Sequence, residues 1–180
     1  ARAEYALEKR MHEKDSAGGI IECIVKGMPV GAGEPVFEKL DANIAKAVMS
    51  IGAVKGIEIG AGFGAAFSSG SANNDSFYND ADRGIIKITN NAGGIRGGIS
   101  DGSDIIVRAA VKPTPSIASL QHTINKTGDN IDIEIKGRHD PVIVPRAVVV
   151  VEAMVASVIF DMLMASMFSN IGLIKKFFNM

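Results

Sequence analysis

The chain contains no tryptophan, one cysteine and three histidines among its 180 residues. A single cysteine excludes an internal disulfide framework, and three scattered histidines do not have the spacing of a metal site. Cys23 lies in the apolar run IIECIV, which favours a buried thiol over a nucleophile or a metal ligand. We therefore expect neither a disulfide nor a bound metal.

An excess of charge of either sign is also missing, since 19 basic side chains are balanced by 20 acidic ones. Proteins that bind nucleic acid through phosphate contacts carry basic patches, so this balance argues against that class of partner. The first segment, ARAEYALEKRMHEKD, is charged throughout and lacks the apolar run of a signal peptide. Together with the single cysteine, this indicates a reducing cytoplasmic location.

The length fits one domain with a substantial core, and hydrophobic periodicity predicts both helices and strands. Apolar residues recur every four positions over 36–50, as in an amphipathic helix, and a surface helix is expected over 2–14. Strands are expected over 20–26, 54–59, 85–89 and 104–111, and isoleucines at 131, 133 and 135 mark a half-buried strand. The pattern predicts an α+β layered domain.

Two further segments differ strongly in polarity. The stretch 61–83 is rich in Gly, Ser, Asn and Asp, which predicts a mobile loop or lid. Residues 142–168 are overwhelmingly apolar and long enough for a membrane-spanning helix. However, Arg146, Glu152 and Asp161 interrupt this run, and a charge near the centre of a bilayer costs several kcal/mol. We therefore interpret it as a helix buried between protein layers, and we expect no membrane partner.

The most informative stretch is NNAGGIRGGISDGSDIIVRAAVKPTPS, over residues 90–116. Its glycines let a backbone approach a ligand closely, and successive N–H groups in such a loop can form an anion-binding concavity. The KPTPS segment then offers an ammonium group, two hydroxyls and a backbone stiffened by two prolines. Donors of this kind suit a phosphate or a ring carbonyl. By spacing alone, the glycine pairs more often serve tight turns or close packing.

Several sequence motifs, taken in their order along the chain, indicate a family more specifically than the glycine spacing does. NNAGGIRGGIS, KPTPSI and GRHDPVIVPRAV followed by EAM, with MPVGAGEPVFEKLDANIAKAVMSIGAVKGIEIG upstream, resemble the C-terminal half of the chorismate synthase family. The resemblance runs from about Asp15 to about Ala156. It implies a single domain over residues 1–180 that corresponds to this half, with the N-terminal half absent. It also implies a layered β-α-β sandwich, in which apolar helices pack between antiparallel sheets.

The resemblance implies a reaction as well. Members of the family make chorismate from 5-enolpyruvylshikimate 3-phosphate by a 1,4-elimination of phosphate, a carbon–oxygen lyase reaction of the shikimate pathway of aromatic amino acid biosynthesis. Reduced FMN is the implied cofactor, NADPH reduces it in some members, and the implied assembly is a cytoplasmic homotetramer. The protein would hold an electron-rich flavin against a polyanionic substrate and supply cations for the leaving phosphate. A non-catalytic flavin- or phosphate-binding half-domain that pairs with itself is the alternative.

The family's flavin contacts can be carried over by position. They fall on Gly52, Ala53, Gly97, Lys112, Pro113, Thr114, Pro115, Ser116 and Arg138. Lys112 and Arg138 would neutralise an anionic flavin or substrate, and the two hydroxyls would donate hydrogen bonds. Family members often have asparagine or proline where this chain has Gly52, and this departure loosens one flavin contact.

Asp140 in GRHDP resembles the family's aspartate near the flavin, where a carboxylate helps to manage a proton. A cap on a helix that begins at Pro141 is the alternative role for this aspartate. His139, its neighbour, is interpreted as structural, because the family's functional histidines lie in the other half of the chain. The resemblance therefore implies one catalytic residue in this chain, Asp140.

Overall fold

The structure, a computed structural model, describes residues 2–82, 84–137 and 140–179. The helices are α1 (Arg2–His12), α2 (Leu40–Met49), α3 (Gly70–Asn73), α4 (Val144–Phe168) and α5 (Ile171–Phe177), with a 3-10 helix over Gly62–Phe67. The strands are β1 (Gly19–Val25), β2 (Val54–Ile59), β3 (Phe77–Asp80), β4 (Gly84–Lys87), β5 (Ile95–Arg96), β6 (Ile99–Ser100), β7 (Ile105–Val111), β8 (Gln121–Ile124) and β9 (Asn130–Ile133).

The central element is an antiparallel three-stranded sheet in the order β1-β7-β2. Ile105, Val107, Ala109 and Val111 are all buried on β7, whereas the residues between them point to the opposite face. This alternation has the period of a strand and gives the sheet one core face. β1 pairs with β7 along its whole length, starting from Gly19 opposite Val111. The middle strand therefore carries the core face of the sheet.

Two helices cover this face. The buried residues are Leu40, Ile44 and Val48 on α2 and Val151, Val155, Ile159 and Met162 on α4. α4 packs against β1 and α2 packs against β2, and the two helices also contact each other. Each fully buried aliphatic side chain contributes about 1.5–3 kcal/mol to folding. The predicted α+β class is confirmed, and the helices lie in a layer against an antiparallel sheet.

α4 is buried along one stripe only. Val149 and Phe160, on its other side, are 63% and 66% exposed. By length and composition, α4 is apolar enough to cross a membrane. The predicted packing of this apolar helix against a sheet is observed on one side of α4, where the buried stripe contacts β1. Within the described residues, no second sheet packs on the other side of α4.

Three local predictions were wrong. α2 begins at Leu40 rather than at residue 36, because Val36 has a φ of +68°, which is not helical. The stretch 61–83 is not one long loop, since it contains the 3-10 helix, α3 and β3, which pairs with β4. β9 is exposed along its length rather than half-buried, because it pairs with β8 in a hairpin that stands away from the core.

A buried carboxylate fixes the start of the glycine-rich segment. Asp75 is 4% exposed and accepts hydrogen bonds from the backbone N–H groups of Asn91 (2.7 Å) and Ala92 (2.9 Å) and from the hydroxyl of Thr89 (2.7 Å). The ammonium group of Lys87 lies 3.6 Å from the same carboxylate. Buried charges are tolerated when they are paired and hydrogen-bonded, and Asp75 is both. The chain between β4 and β5 is thus wrapped around one anion.

Lys87 extends this network to the far side of the segment. Its ammonium group is nearly buried and donates to Asp101 at 2.8 Å. Arg96 lies 3.5 Å from the same carboxylate and donates to the backbone carbonyl of Asp75 at 3.1 Å. Burial opposes the ionisation of Asp101, but hydrogen bonds from Lys87 and Ser103 outweigh it and hold the pKa below its ordinary value. Two cations therefore tie both ends of the glycine-rich segment together.

We expect Asp75→Asn to lower the free energy of unfolding by about 2–3 kcal/mol at neutral pH, because charge-assisted hydrogen bonds are lost. Burial acts against the charged form, but the N–H groups of Ala92 and Asn91 and the Thr89 hydroxyl lower the pKa of Asp75 from 3.8 to about 2. The carboxylate's contribution is therefore complete above about pH 4 and is lost as the pH falls toward 2. Urea unfolding followed by circular dichroism at pH 7 and pH 3 measures this difference.

Asp82→Asn is the matched control, since Asp82 is exposed and its substitution should change stability by less than about 0.5 kcal/mol. The deficit of Asp75→Asn relative to the wild type should be smaller at pH 3 than at pH 7. Two outcomes would show that the charged network does not stabilise the fold. One is an equal loss of unfolding free energy at pH 3 and pH 7 in Asp75→Asn, and the other is a loss no larger than that of Asp82→Asn.

Candidate functional site

The turn that follows β7 lies beside the loop that precedes β2. The backbone N–H of Lys112 donates to the carbonyl of Ala53 at 2.9 Å. Ala53 has a φ of +71°, a conformation that costs about 1–3 kcal/mol and persists where the surroundings enforce it. A Cβ placed on Gly52 would find no heavy atom of another residue within 4 Å. These three residues are neighbours, and the space beside Gly52 is open.

The turn 112–116 carries a polar group that has no partner. The hydroxyl oxygen of Thr114 is buried and forms no hydrogen bond with any part of the chain that the structure describes. Lys112 and both prolines of the turn are exposed, and Ser116 is half-buried. A buried hydroxyl left unpaired costs about 1–3 kcal/mol, so a ligand that bonds to Thr114 would recover this energy. Together with the Lys112 ammonium, this donor set suits an anionic or carbonyl-bearing ligand.

Residues 16–18 connect this turn to the segment that contains Asp140. Ser16 is 6% exposed, and its hydroxyl donates to the carbonyl of Thr114 at 2.6 Å. The N–H of Ala17 donates to the carbonyl of Pro141 at 2.7 Å, and Ala17 forms a parallel bridge with Val142. Residues that are far apart in sequence thus form one cluster, which consists of 16–18, 52–53, 112–116 and 140–142. We call it the turn cluster.

Asp140 lies at the edge of the turn cluster and forms an ion pair with Arg146 on α4. The alternative role of Asp140 as a helix cap was wrong. α4 begins at Val144, and Ile143 occupies the cap position without a side-chain cap hydrogen bond. Pro141 and Val142 therefore precede the helix rather than begin it. The Asp140 carboxylate is about half exposed and is held by a guanidinium rather than by a helix terminus.

The space beside the turn cluster is small. A cavity of about 190 Å³ lies between Ser16, Ile117 and Asp140, whereas ligand pockets usually measure about 300–1,000 Å³. Larger cavities of about 540, 350 and 580 Å³ lie along the β8–β9 hairpin, beside the C-terminal part of α4 and beside the glycine-rich segment. None of these three is lined by a residue of the turn cluster. The turn cluster is an open surface rather than an enclosed pocket.

Gly97 is not brought to the turn cluster within one chain. It lies between β5 and β6, and the carbonyl of its neighbour Gly98 accepts a hydrogen bond from the N–H of Leu40 at the start of α2. Ala53 lies beyond the other end of α2. From the lengths of α2 and β7, Gly97 and Ala53 lie about 15–20 Å apart. The role of Gly97 as a flavin contact stays a prediction, and Arg138 and His139 lie outside the described residues.

Among the residues that the structure describes, Cys23 and the acidic and histidine side chains do not form a metal or nucleophile site. Burial, and then the carboxylate of Glu152 on α4, raise the pKa of the Cys23 thiol. This disfavours the thiolate, which is the form that reacts or binds metal. In the ranges that the structure describes, no group of three or more His, Cys, Asp and Glu side chains is placed to hold a metal ion.

The comparisons with known proteins agree on one family. A family model described as chorismate synthase matches residues 1–164. The chorismate synthase of Lachnoclostridium phytofermentans is 60% identical over 177 residues, which are 98% of this chain and 48% of that protein. The chorismate synthase of Methanocaldococcus jannaschii is 58% identical over 161 residues, which are 89% of this chain and 42% of that protein.

A crystal structure of chorismate synthase is similar in fold, with a TM-score of 0.74 and 33% sequence identity. The similarity covers 92% of this chain and 43% of that chain. This chain therefore spans about half the length of the curated relatives that it matches.

Gly18→Ala should lower the free energy of unfolding by about 1–3 kcal/mol, because overpacking forces the backbone to shift. The added Cβ would lie 2.5 Å from the carbonyl oxygen of Val111 and 3.0 Å from Cδ of Pro113. Gly70→Ala is the matched control. A Cβ added at Gly70 would meet no heavy atom within 4 Å, and alanine is favoured over glycine in a helix such as α3. Urea unfolding of both variants measures the difference. Equal stability would mean that residues 16–18 do not support the turn.

Proposed function

The chain belongs to the chorismate synthase family, and we propose that it supplies part of the flavin and substrate site of such an enzyme. The proposed reaction is the 1,4-elimination of phosphate from 5-enolpyruvylshikimate 3-phosphate to give chorismate, in aromatic amino acid biosynthesis. The observation that carries the proposal is the turn cluster, in which Lys112 is hydrogen-bonded to Ala53, the residue after the open space at Gly52, and the unpartnered hydroxyl of Thr114 lies in the same turn as Lys112.

Reduced FMN fits the donors of the turn cluster. The buried hydroxyl of Thr114 has no partner in the described chain, and the open space beside Gly52 lets a ligand approach the backbone closely. When bound, reduced FMN supplies the electron density that assists the loss of phosphate. We assign Thr114 and Ser116 to hydrogen bonds with the flavin. Pro113 and Pro115 keep the turn rigid, because each fixes its own φ.

Two charged residues of this chain have roles in the proposed reaction. The exposed ammonium group of Lys112 stabilises negative charge on the flavin or on the leaving phosphate. Asp140 is the proposed catalytic residue, and its carboxylate holds or relays a proton during the elimination. Arg146 keeps this carboxylate in place through their ion pair. Both charged groups are accessible to a ligand, since Lys112 is exposed and the Asp140 side chain is about half exposed.

We propose that the part of the family's chain that this sequence does not match completes the site. Two observations support this step: the cavity beside Asp140 is too small for a flavin, and one side of α4 is apolar but uncovered. Protein rather than lipid is the proposed cover, because Arg146, Glu152 and Asp161 lie along the helix. A cytoplasmic homotetramer that uses NADPH or another reductant, and binds no nucleic acid, is the proposed assembly.

Anaerobic phosphate release from 5-enolpyruvylshikimate 3-phosphate with chemically reduced FMN tests the function. We expect no release from the chain alone. Release should appear when the chain is mixed with the part of the L. phytofermentans protein that it does not match, and it should stop when FMN is oxidised. Lys112→Ala should slow release by about 100-fold, because a charge at the leaving phosphate is lost.

Lys126→Ala is the matched control, since Lys126 is an exposed lysine in the turn of the β8–β9 hairpin and contributes nothing to the turn cluster. It should leave the rate unchanged. Equal rates for the two lysine variants would overturn the role of Lys112. FMN binding without phosphate release in the mixture would favour the alternative, a self-associating flavin-binding half-domain without catalysis.

A further inference from the structure

We propose that Ser16 is a positioning residue for the flavin site, which acts by fixing the orientation of Thr114. This inference rests on the proposed function and assigns a role to a residue 98 positions away from Thr114 in the chain. Ser16 lines the small cavity beside Asp140, but its hydroxyl is engaged by the Thr114 carbonyl. It acts through the Thr114 carbonyl, and thereby sets the direction of the unpartnered hydroxyl on the same residue.

The turn 112–116 depends on donors from outside it. Pro113 and Pro115 have no N–H group, so they remove two of the backbone donors with which a turn usually closes on itself. The Ser16 hydroxyl bonds to the Thr114 carbonyl at 2.6 Å, and Gln121 donates to the Pro115 carbonyl at 3.0 Å. Of these two contacts, the one from Ser16 comes from a buried residue, because Ser16 is 6% exposed.

The hydrogen bond from Ser16 limits the conformation of Thr114 in a specific way. Thr114 precedes a proline, which already restricts its backbone to the extended region. The hydrogen bond from Ser16 fixes the Thr114 carbonyl. It therefore restrains the backbone rotation that is still possible within the extended region, and with it the direction of the Cα–Cβ bond of Thr114. Without the Ser16 hydroxyl, the Thr114 carbonyl loses this partner, and rotation of the turn toward water becomes more favourable. The buried, unpartnered Thr114 hydroxyl would then change its direction.

The same segment also restrains the other side of the turn cluster. Ala17 follows Ser16 directly, and its hydrogen bond to Pro141 anchors the segment that holds Asp140. Ser16 and Ala17 together therefore link the proposed flavin donors to the segment of the proposed catalytic carboxylate, Ser16 through its side chain and Ala17 through its backbone N–H. A preorganised ligand site needs such support, because binding energy is otherwise spent on ordering the turn.

A double-mutant cycle tests this role. Dissociation constants for FMN are measured by flavin fluorescence for the wild type, Ser16→Ala, Thr114→Val and the double variant, each in the mixture with the complementary part. We expect Ser16→Ala to weaken FMN binding by about tenfold, which corresponds to about 1.4 kcal/mol. If Ser16 acts through the Thr114 hydroxyl, it should weaken binding less than twofold in the Thr114→Val background. Full additivity of the two effects would overturn the proposal.

Ser100→Ala is the matched control. Ser100 is also buried, at 2% exposed, and its hydroxyl donates to the Pro29 carbonyl at the same distance of 2.6 Å. It lies before β7 rather than after it. The same hydroxyl accepts a hydrogen bond from the N–H of Ala32 at 2.9 Å, so Ser100→Ala loses two hydrogen bonds and should lower the free energy of unfolding at least as much as Ser16→Ala. It should leave the FMN dissociation constant unchanged, and an equal weakening by both variants would contradict the positioning role.

Hydrogen–deuterium exchange separates this inference from the proposed function. Ser16→Ala should accelerate exchange at the amides of Lys112, Thr114 and Ser116, and Ser100→Ala should not. If the wild type binds no FMN, the proposed function fails, and the exchange data still judge whether Ser16 holds the turn. Unchanged exchange over 112–116 in Ser16→Ala would overturn the inference even if FMN binds.

Discussion

The pairing of β7 with strands on both sides fixes the position of the turn that carries Lys112 and Thr114. Its register places Val111 opposite both Gly19 and Val54. Lys112 therefore leaves the sheet between the segment before β1 and the loop before β2, which is where the turn cluster forms. A shift of one residue would turn the buried positions of β7 to the other face of the sheet. The core thus specifies the register, and the register assembles the site.

Close packing of the backbone explains Gly60 and Gly93, two of the glycines before β7. Gly60 and Gly93 have φ values of +59° and +63°, and a Cβ on Gly93 would lie 2.3 Å from the backbone nitrogen of Gly60. Two chain segments can approach this closely only where neither carries a side chain. The anion that this segment wraps is the protein's own Asp75. In the structure, the concavity that the sequence suggested for a ligand is thus occupied in part by an internal carboxylate.

The sequence predicted those features that local periodicity determines. α2, β7 and α4 have strong patterns, and each appears within a few residues of its expected range. The exposure of β9 and the structure within 61–83 depend on which strand pairs with which, and composition carries no such information. The same holds for Ser16. In DSAGG it is one residue of a helix-breaking turn, and only the folded sheet brings it to Thr114. Gly52, Ala53 and KPTPS were predicted as flavin contacts from the family resemblance. The hydrogen bond from Ser16 that supports the KPTPS turn was not predicted.

The exposed side of α4 links the completion of the core to the completion of the site. Val149 and Phe160 are uncovered, although the opposite stripe of the same helix is fully packed. On the proposed function, the polypeptide that covers these residues is also the one that encloses the turn cluster. Burial of several large apolar side chains, at about 1.5–3 kcal/mol each, would then offset the cost of ordering the turn around a flavin. Association of the two parts would supply stability and ligand affinity through the same contacts, so neither part would need a finished pocket of its own.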